Sequence, residues 1–178
     1  AGLDAAGVTV ERGAVVVDER LRTSAPGIWA IGDVNARCML AHAATAQGHD
    51  VLCQFVDGLP PVNQAVIPSA VFTVPELAMV GLTEQQAAEH GLDVEVRRVL
   101  YGASGKAMAM GETAGMVKLL VERATGRIAG CHILGAHASD LIHEAALAMA
   151  QGLPATALAA TIHAHPTLSE LMMMAARS

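Results

Sequence analysis

Apolar and polar positions change rhythm along the chain. Residues 8–10 and 14–17 are short β-branched runs around Arg12-Gly13 and predict a hairpin. Such a hairpin is marginal alone and needs a sheet to join. After the turn at Pro26-Gly27, Ile28-Trp29-Ala30-Ile31 has the character of a short buried strand, ending at Gly32-Asp33. Leu40, Ala44, Val51, Leu52 and Phe55 then recur near helical spacing and predict a helix over 39–56, weakened by Gly48. Asp57-Gly58-Leu59-Pro60-Pro61 ends it, and this stretch is the best candidate for a domain boundary.

From Val66 the texture becomes mixed. Strands are predicted at 68–72 and 77–80, a helix at 83–90 with a Thr83/Gln86 capping box, and a strand at 93–101. Residues 116–122 and 128–134 read as a second hairpin around Ala124-Thr125-Gly126-Arg127. A helix over 139–151, N-capped by Ser139 and ended by Gly152, precedes a short helix at 154–159 and a last one from Thr167. This order predicts an α+β fold, an antiparallel sheet with helices on one side. No internal repeat and no low-complexity linker is present.

Composition narrows the function. With 178 residues the chain can bury its own core, and at 53% hydrophobic that core is aliphatic. The aromatics are Trp29, Phe55, Phe72 and Tyr101, so there is little surface for stacking bases or sugars. A net charge of −6, with scattered Lys and Arg, argues against nucleic acid as a partner. No apolar run reaches the roughly 20 residues of a membrane helix, and nothing resembles a signal peptide. The expectation is a cytoplasmic protein without a membrane partner. Because the first residue is Ala, a trimmed chain is also expected. Cys38, Cys53 and Cys131 are too widely spaced for a CxxC motif and suit a reducing compartment.

The chemistry concentrates in His163-Ala164-His165-Pro166-Thr167-Leu168-Ser169-Glu170. If the segment is extended, His163 and His165 share one face. An X-Pro bond permits the cis form, which would fix the imidazole of His165. Glu170 has two readings. It is the N3 member of a capping box whose N-cap is Thr167. It is also placed to hold one ring nitrogen of His165, leaving the other to handle substrate protons. His132, His137 and His143 form no recognisable metal motif, and no metal site is expected. Asp33 is either a turn residue or a carboxylate facing a ligand from the end of a strand.

His-Ala-His-Pro-Thr-Leu-Ser-Glu resembles the C-terminal signature of the flavin-dependent pyridine nucleotide-disulfide oxidoreductases. Other stretches agree, in the same order. Residues 23–33 look like the family's second flavin motif, and Met39-Leu40-Ala41-His42 follows at the family's distance. Phe72-Thr73-Val74-Pro75-Glu76 with Val80-Gly81-Leu82-Thr83-Glu84 is similar to the start of its interface domain. The resemblance covers essentially the whole chain and leans toward the dihydrolipoamide dehydrogenase branch.

That resemblance implies three segments: 1–25 as the tail of a nicotinamide domain, 26–62 as the last part of an FAD domain, and 63–178 as the dimerisation domain of a homodimer. Asp33, with Gly32, would meet the flavin's ribitol, and backbone groups around Ala41, with Met39, Leu40 and His42, would meet its ring. His165 would be the acid/base at the dithiol, oriented by Glu170 and acting across the interface on the partner's disulfide. The same resemblance implies a cis His165-Pro166 bond, FAD and NAD as cofactors, and a lipoyl-bearing protein as substrate.

Departures from the family pattern follow. The redox cysteine pair and both Gly-rich dinucleotide fingerprints are not in this sequence. The chain is therefore expected to be the C-terminal portion of a longer enzyme, to bind neither FAD nor NAD by itself, and to be inactive without the N-terminal domains. Leu-Met-Met-Met-Ala-Ala-Arg-Ser after Glu170 lacks the cysteines of mercuric reductase relatives, and Leu168 disfavours the glutathione reductase branch. The alternatives are a non-enzymatic dimerisation module of the same fold, or another disulfide reductase branch, mercuric or glutathione reductase-like.

Overall fold

The computed structural model describes residues 2–178. The chain forms two compact units, Ala1–Gln64 and Ala65–Ser178.

In the first unit, β1 (Val10–Glu11) and β2 (Ala14–Val15) pair antiparallel around Arg12-Gly13, where both residues take positive φ. The predicted hairpin is therefore present, though shorter than its β-branched runs. Val8, Val15, Ala25 and Ala30 form a small apolar core. The expected strand at Ile28–Ile31 does not form: only an isolated bridge joins Trp29 to Arg22. Ala30 alone is buried, with Ile28 and Ile31 exposed, because no ladder on either side covers the run.

The helix α1 (Ala41–Leu52) is shorter than predicted at both ends. Leu40 is extended, and residues 53–56 continue as turns, with the Phe55 and Val56 amides bonded to the Leu52 carbonyl. Its buried face carries Ala43 and Gln47 rather than the large apolar residues that suggested the helix. Leu52 and Phe55 are exposed, Phe55 lying edge-on to Trp29 at 5.0 Å between ring centres.

The second unit is built on a five-stranded, wholly antiparallel sheet. Its strands are β3 (Ser69–Val71), β4 (Glu76–Gly81), β5 (Val94–Leu100), β6 (Met116–Glu122) and β7 (Ile128–Gly135), in the order β3-β4-β7-β6-β5. Alternation along the strands makes one face apolar. Ala78 and Val80 stand beside Ile133 and Cys131, which in turn stand beside Val117 and Leu119. Three helices cover this face: α4 (Ala138–Ala150), α5 (Ala155–Ala160) and α6 (Glu170–Arg177). The small side chains Ala138, Ala145 and Ala148 of α4 are fully buried there, which lets the helix lie close to the strands. The α+β architecture read from the sequence, an antiparallel sheet with its main helices on one side, is the one observed, with only the short α2 outside that layer.

Two short helices complete the unit. α2 (Glu84–Glu89) carries the predicted Thr83/Gln86 capping box. Glu84 bridges to Arg98 and Lys118, each at 2.9 Å. Arg98 and Lys118 alternate with core-facing Val99 and Val117, so α2 lies on the sheet's other face. α3 (Gly105–Met110), capped by the buried Ser104, follows a 3-10 turn at Tyr101–Ala103. The helix expected over 83–90 is thus present as α2, whereas the 3-10 turn and α3 were not predicted, because three and six residues are too few to show a period.

Two capping assignments need correction. The N-cap of α4 is His137, in left-handed conformation, and Ser139 lies inside the first turn. The Ser139 amide is instead bonded by the Glu76 carboxylate, 2.9 Å away on β4. The N-cap of α6 is Ser169, not Thr167, and makes no side-chain cap. Only half of the predicted box exists: Glu170 accepts from the Thr167 amide at 2.9 Å, while the Thr167 hydroxyl donates to the Ala164 carbonyl. The Thr167 hydroxyl, turned back to the Ala164 carbonyl, is not available to cap the first turn.

Candidate functional site

The irregular segment between α5 and α6 presents the histidines. His165 precedes Pro166 through a cis peptide bond. Its Nδ1 lies 2.9 and 3.2 Å from the two oxygens of Glu170. Glu170 is the first residue of α6, where the helix dipole favours a negative charge. The Thr167 amide, and next the His165 imidazole, hold its carboxyl below the usual range. The His165 side chain is 77% exposed against 20% for Glu170. Its Nε2 has no hydrogen-bond partner among the described residues. The arrangement is an imidazole fixed at one nitrogen by a well-anchored carboxylate, with the other nitrogen open to exchange a proton.

His163 is not on the same face. Its side chain is only 5% exposed, with Nε2 at 2.7 Å from Glu144 of α4 and Nδ1 at 3.0 Å from the Thr161 carbonyl. The expectation that both histidines point one way fails because no ladder imposes strand alternation on residues 161–169. Nothing in the spacing from 144 to 163 announced this contact.

The flavin candidates lie in the other unit. Gly32 and Asp33 open a 3-10 turn, Gly32–Asn35, leading toward α1. Gln47, buried in α1, accepts from the Gly32 amide and from the Asn35 side-chain amide, both at 2.8 Å. Asn35 also donates to the Ala30 carbonyl at 3.0 Å. This buried polar knot fastens the turn to the helix. A Cβ on Gly32, which has φ 71°, would stand 3.0 Å from that of Ala44. The exposed Asp33 carboxylate is thus presented on a rigid turn, able to accept from a hydroxyl. Met39, Ala41 and His42 are exposed and Leu40 is half-buried where α1 begins. These residues suit one part of a flavin site, the ribitol and ring contacts. The sequence reading missed Gln47 and Asn35, which no local pattern links across the 12 residues between them.

One further group lies at the opposite end of α1. The ligand atoms of His49, Asp50 and Cys53 fall within 4.8 Å of one another.

The family model for the pyridine nucleotide-disulphide oxidoreductase dimerisation domain matches residues 67–176, and the pyridine nucleotide-disulphide oxidoreductase model matches residues 1–48. The chain belongs to this family. It is 46% identical to a dihydrolipoyl dehydrogenase of Chlorobaculum tepidum over 176 residues, 98% of this chain and 38% of that relative. It is 44% identical to a mycothione reductase of Mycobacterium tuberculosis over 174 residues, 94% of this chain and 38% of that relative. Among solved structures, an HOCl-induced flavoprotein disulfide reductase of Escherichia coli superposes with a TM-score of 0.91 at 33% identity, over 98% of this chain and 41% of that one. The chain therefore spans about two fifths of the length of these relatives. Fold and family are as the motifs indicated. Among the described residues no helix is long and apolar enough to cross a membrane.

Proposed function

We propose that the chain is the C-terminal part of an FAD-dependent dihydrolipoamide dehydrogenase, supplying the homodimer interface and the acid/base for the dithiol. The observation that carries this reading is the His165–Glu170 pair, with Nδ1 held at 2.9 Å and Nε2 open. Glu170 accepts the Nδ1–H bond and so selects the tautomer whose Nε2 can take a proton. In the proposed step Nε2 removes the proton from a thiol of a dihydrolipoyl group on its carrier protein. The resulting thiolate attacks the redox disulfide of the partner subunit, which the N-terminal part of the enzyme carries; a mixed disulfide forms as the S–S bond breaks, and the second cysteine leaves as a thiolate.

In this reading, residues 1–25 end the nicotinamide domain, 26–62 end the FAD domain and 63–178 form the dimerisation domain. Asp33 accepts from a ribitol hydroxyl, Gly32 lets the backbone turn there, and the backbone from Met39 through Leu40 and Ala41 to His42 lines the ring. Bound FAD supplies the two-electron relay to NAD. The Gly-rich phosphate cradles belong to the preceding domains, so this chain alone holds neither cofactor and is inactive. A cytoplasmic location fits the three unpaired cysteines.

The 44% identity to a mycothione reductase supports a second reading, a reductase of low-molecular-weight disulfides with the same acid/base pair. Kinetics of the longer enzyme that contains this chain separate the two. Under the first reading dihydrolipoamide reduces NAD, and His165→Ala lowers turnover by about 10²-fold or more, with a smaller loss for Glu170→Gln. Disulfide reduction without dihydrolipoamide oxidation favours the second. Unchanged turnover in His165→Ala defeats both.

A further inference from the structure

We infer that the C-terminal end of α1 is a binding site for a thiolate-seeking divalent cation of the Zn²⁺ class, with Cys53 Sγ, His49 Nδ1 and the Asp50 carboxylate as ligands. His49 and Cys53 stand four residues apart, one helical turn, so both side chains meet on one face. Sγ and Nδ1 are 3.5 Å apart. With Zn–S near 2.3 Å and Zn–N near 2.0–2.1 Å, two ligands at a tetrahedral angle lie about 3.6 Å apart. The pair therefore already has the separation that a shared ion requires. The Asp50 carboxylate closes the triangle, all three ligand atoms lying within 4.8 Å of one another.

The surroundings hold these ligands from outside. Asp50 Oδ1 accepts from the Val62 amide at 3.2 Å, and Oδ2 accepts from the Gln64 side-chain amide. A carboxylate has about four lone-pair positions, so both oxygens keep capacity for an ion. Bonds of this kind from beyond the ligands fix their orientation and raise affinity. The Cys53 thiol points to the Pro60 carbonyl at 3.8 Å, so the loop over residues 57–64 folds back onto the helix end. His49, Asp50 and Cys53 are all partly exposed, which leaves a path for the ion.

The donor set decides the class of ion. Ca²⁺ and Mg²⁺ need several oxygens, and here there is one carboxylate among sulfur and nitrogen. Glu19, Arg20 and Arg37 line the same depression as Asp50, so local charge does not favour a cation and sulfur and nitrogen must supply the affinity. Imidazole and thiolate together favour Zn²⁺ and its neighbours. Binding exchanges the thiol proton for the metal: the S–H bond breaks, the S–metal bond forms, and one proton leaves to solvent. Three protein ligands leave a fourth position for water. The rise of the helix puts this site about 12 Å from the first turn of α1, away from the proposed flavin contacts. The three side chains bring no part of the acid/base pair into play. Their effect is to pin the loop to the helix.

Co²⁺ titration of the reduced 178-residue chain tests this directly. The expected result is a saturable thiolate-to-cobalt charge-transfer band with one ion per chain, displaced by Zn²⁺. Cys53→Ser abolishes the band and Cys38→Ser keeps it. His49→Ala and Asp50→Asn each weaken Co²⁺ by at least about 10-fold, as loss of a ligand must cost no less than loss of an outer partner. Far-ultraviolet circular dichroism on each variant separates a lost ligand from a lost fold, and Cys53→Ala serves if the serine variant unfolds. Absence of the band in the folded parent overturns the site. So does its persistence in a folded Cys53 variant, or unchanged affinity in either other variant.

Discussion

The imidazole of His163 is clamped between the Glu144 carboxylate, 2.7 Å from its Nε2, and the Thr161 carbonyl, 3.0 Å from its Nδ1. Two residues later His165 is 77% exposed. One histidine is an anchor and the next is presented. The irregular segment before α6 has no ladder to position it, and side-chain bonds tie it instead: His163 to α4, and His165 and Thr167 to Glu170.

Truncating the anchor should therefore cost stability where truncating the presented residue does not. His163→Ala leaves Glu144 without its partner and should cost about 1–3 kcal/mol. His165→Ala, at an exposed position, should stay within about 0.5 kcal/mol. Urea unfolding of the two variants makes the comparison. A His163→Ala protein as stable as the parent would show that the clamp does not hold the segment.

Three carboxylates tie elements of the second unit together, and their behaviour in acid follows from that. Glu76 is held below its ordinary 4.5 mainly by the Ser139 amide, Glu84 mainly by Lys118, and Glu170 mainly by the Thr167 amide. Each folded carboxyl thus loses its proton more readily than the unfolded one. Between the lowered values and 4.5 the unfolded chain binds more protons, so stability rises with pH and is fully present above that window. It should decline as pH falls through it. Urea midpoints measured from about pH 6 to pH 3 should show the fall, and Glu76→Gln should flatten it. A midpoint independent of pH below 4.5 would contradict the linkage.

The second unit was legible because its strands alternate and its turns are marked. Val94, Val96 and Val99 stand within a strand, and Gly126 sits at the tip of the β6–β7 hairpin. The first unit was less so. Ile28 and Ile31 are as apolar as any buried strand, yet among the described residues the only pairing along the run is the isolated bridge at Trp29 and the bonds beside it, and both side chains stay exposed. Leu52 and Phe55 signalled a helix whose buried face is Ala43 and Gln47. Local sequence marks where side chains are apolar, not which partner will cover them. The His165–Glu170 pair could be read because its members are five residues apart. The Glu144–His163 clamp spans 19 residues and two helices, and no local pattern encodes it. His49 and Cys53 stand one helical turn apart, but a single His–Cys pair matches no metal motif, and the loop that brings Asp50 its partners lies more than ten residues away.

Close approach at the end of β7 predicts a steric sensitivity. A Cβ on Gly135 would overlap the ring of Tyr101, which is fully buried beneath it. Gly135→Ala must therefore displace the ring or the strand and should cost about 1–3 kcal/mol. Adding Tyr101→Leu should return part of that loss, because the two residues share one space. Thermal unfolding of the single and double variants reads the coupling. Strict additivity would mean that the ring does not limit residue 135.

Tyr101 also offers a spectroscopic readout, being the only tyrosine in the chain. Its hydroxyl donates to the Ala136 carbonyl at 2.9 Å. Burial first, and then the negative charge of Glu76, push the phenol from 10.0 up to about 12. The folded state keeps the proton where the unfolded chain has lost it. This contribution to stability is complete below 10.0 and is lost as pH rises through about 12. The phenolate band should therefore stay absent near pH 10 and appear near pH 12, or appear abruptly together with unfolding. Circular dichroism at each pH distinguishes these two courses, and Tyr101→Phe should remove the band in both. A reversible phenolate titration centred at 10.0 in a chain that remains folded would show that the hydroxyl is not buried against Ala136.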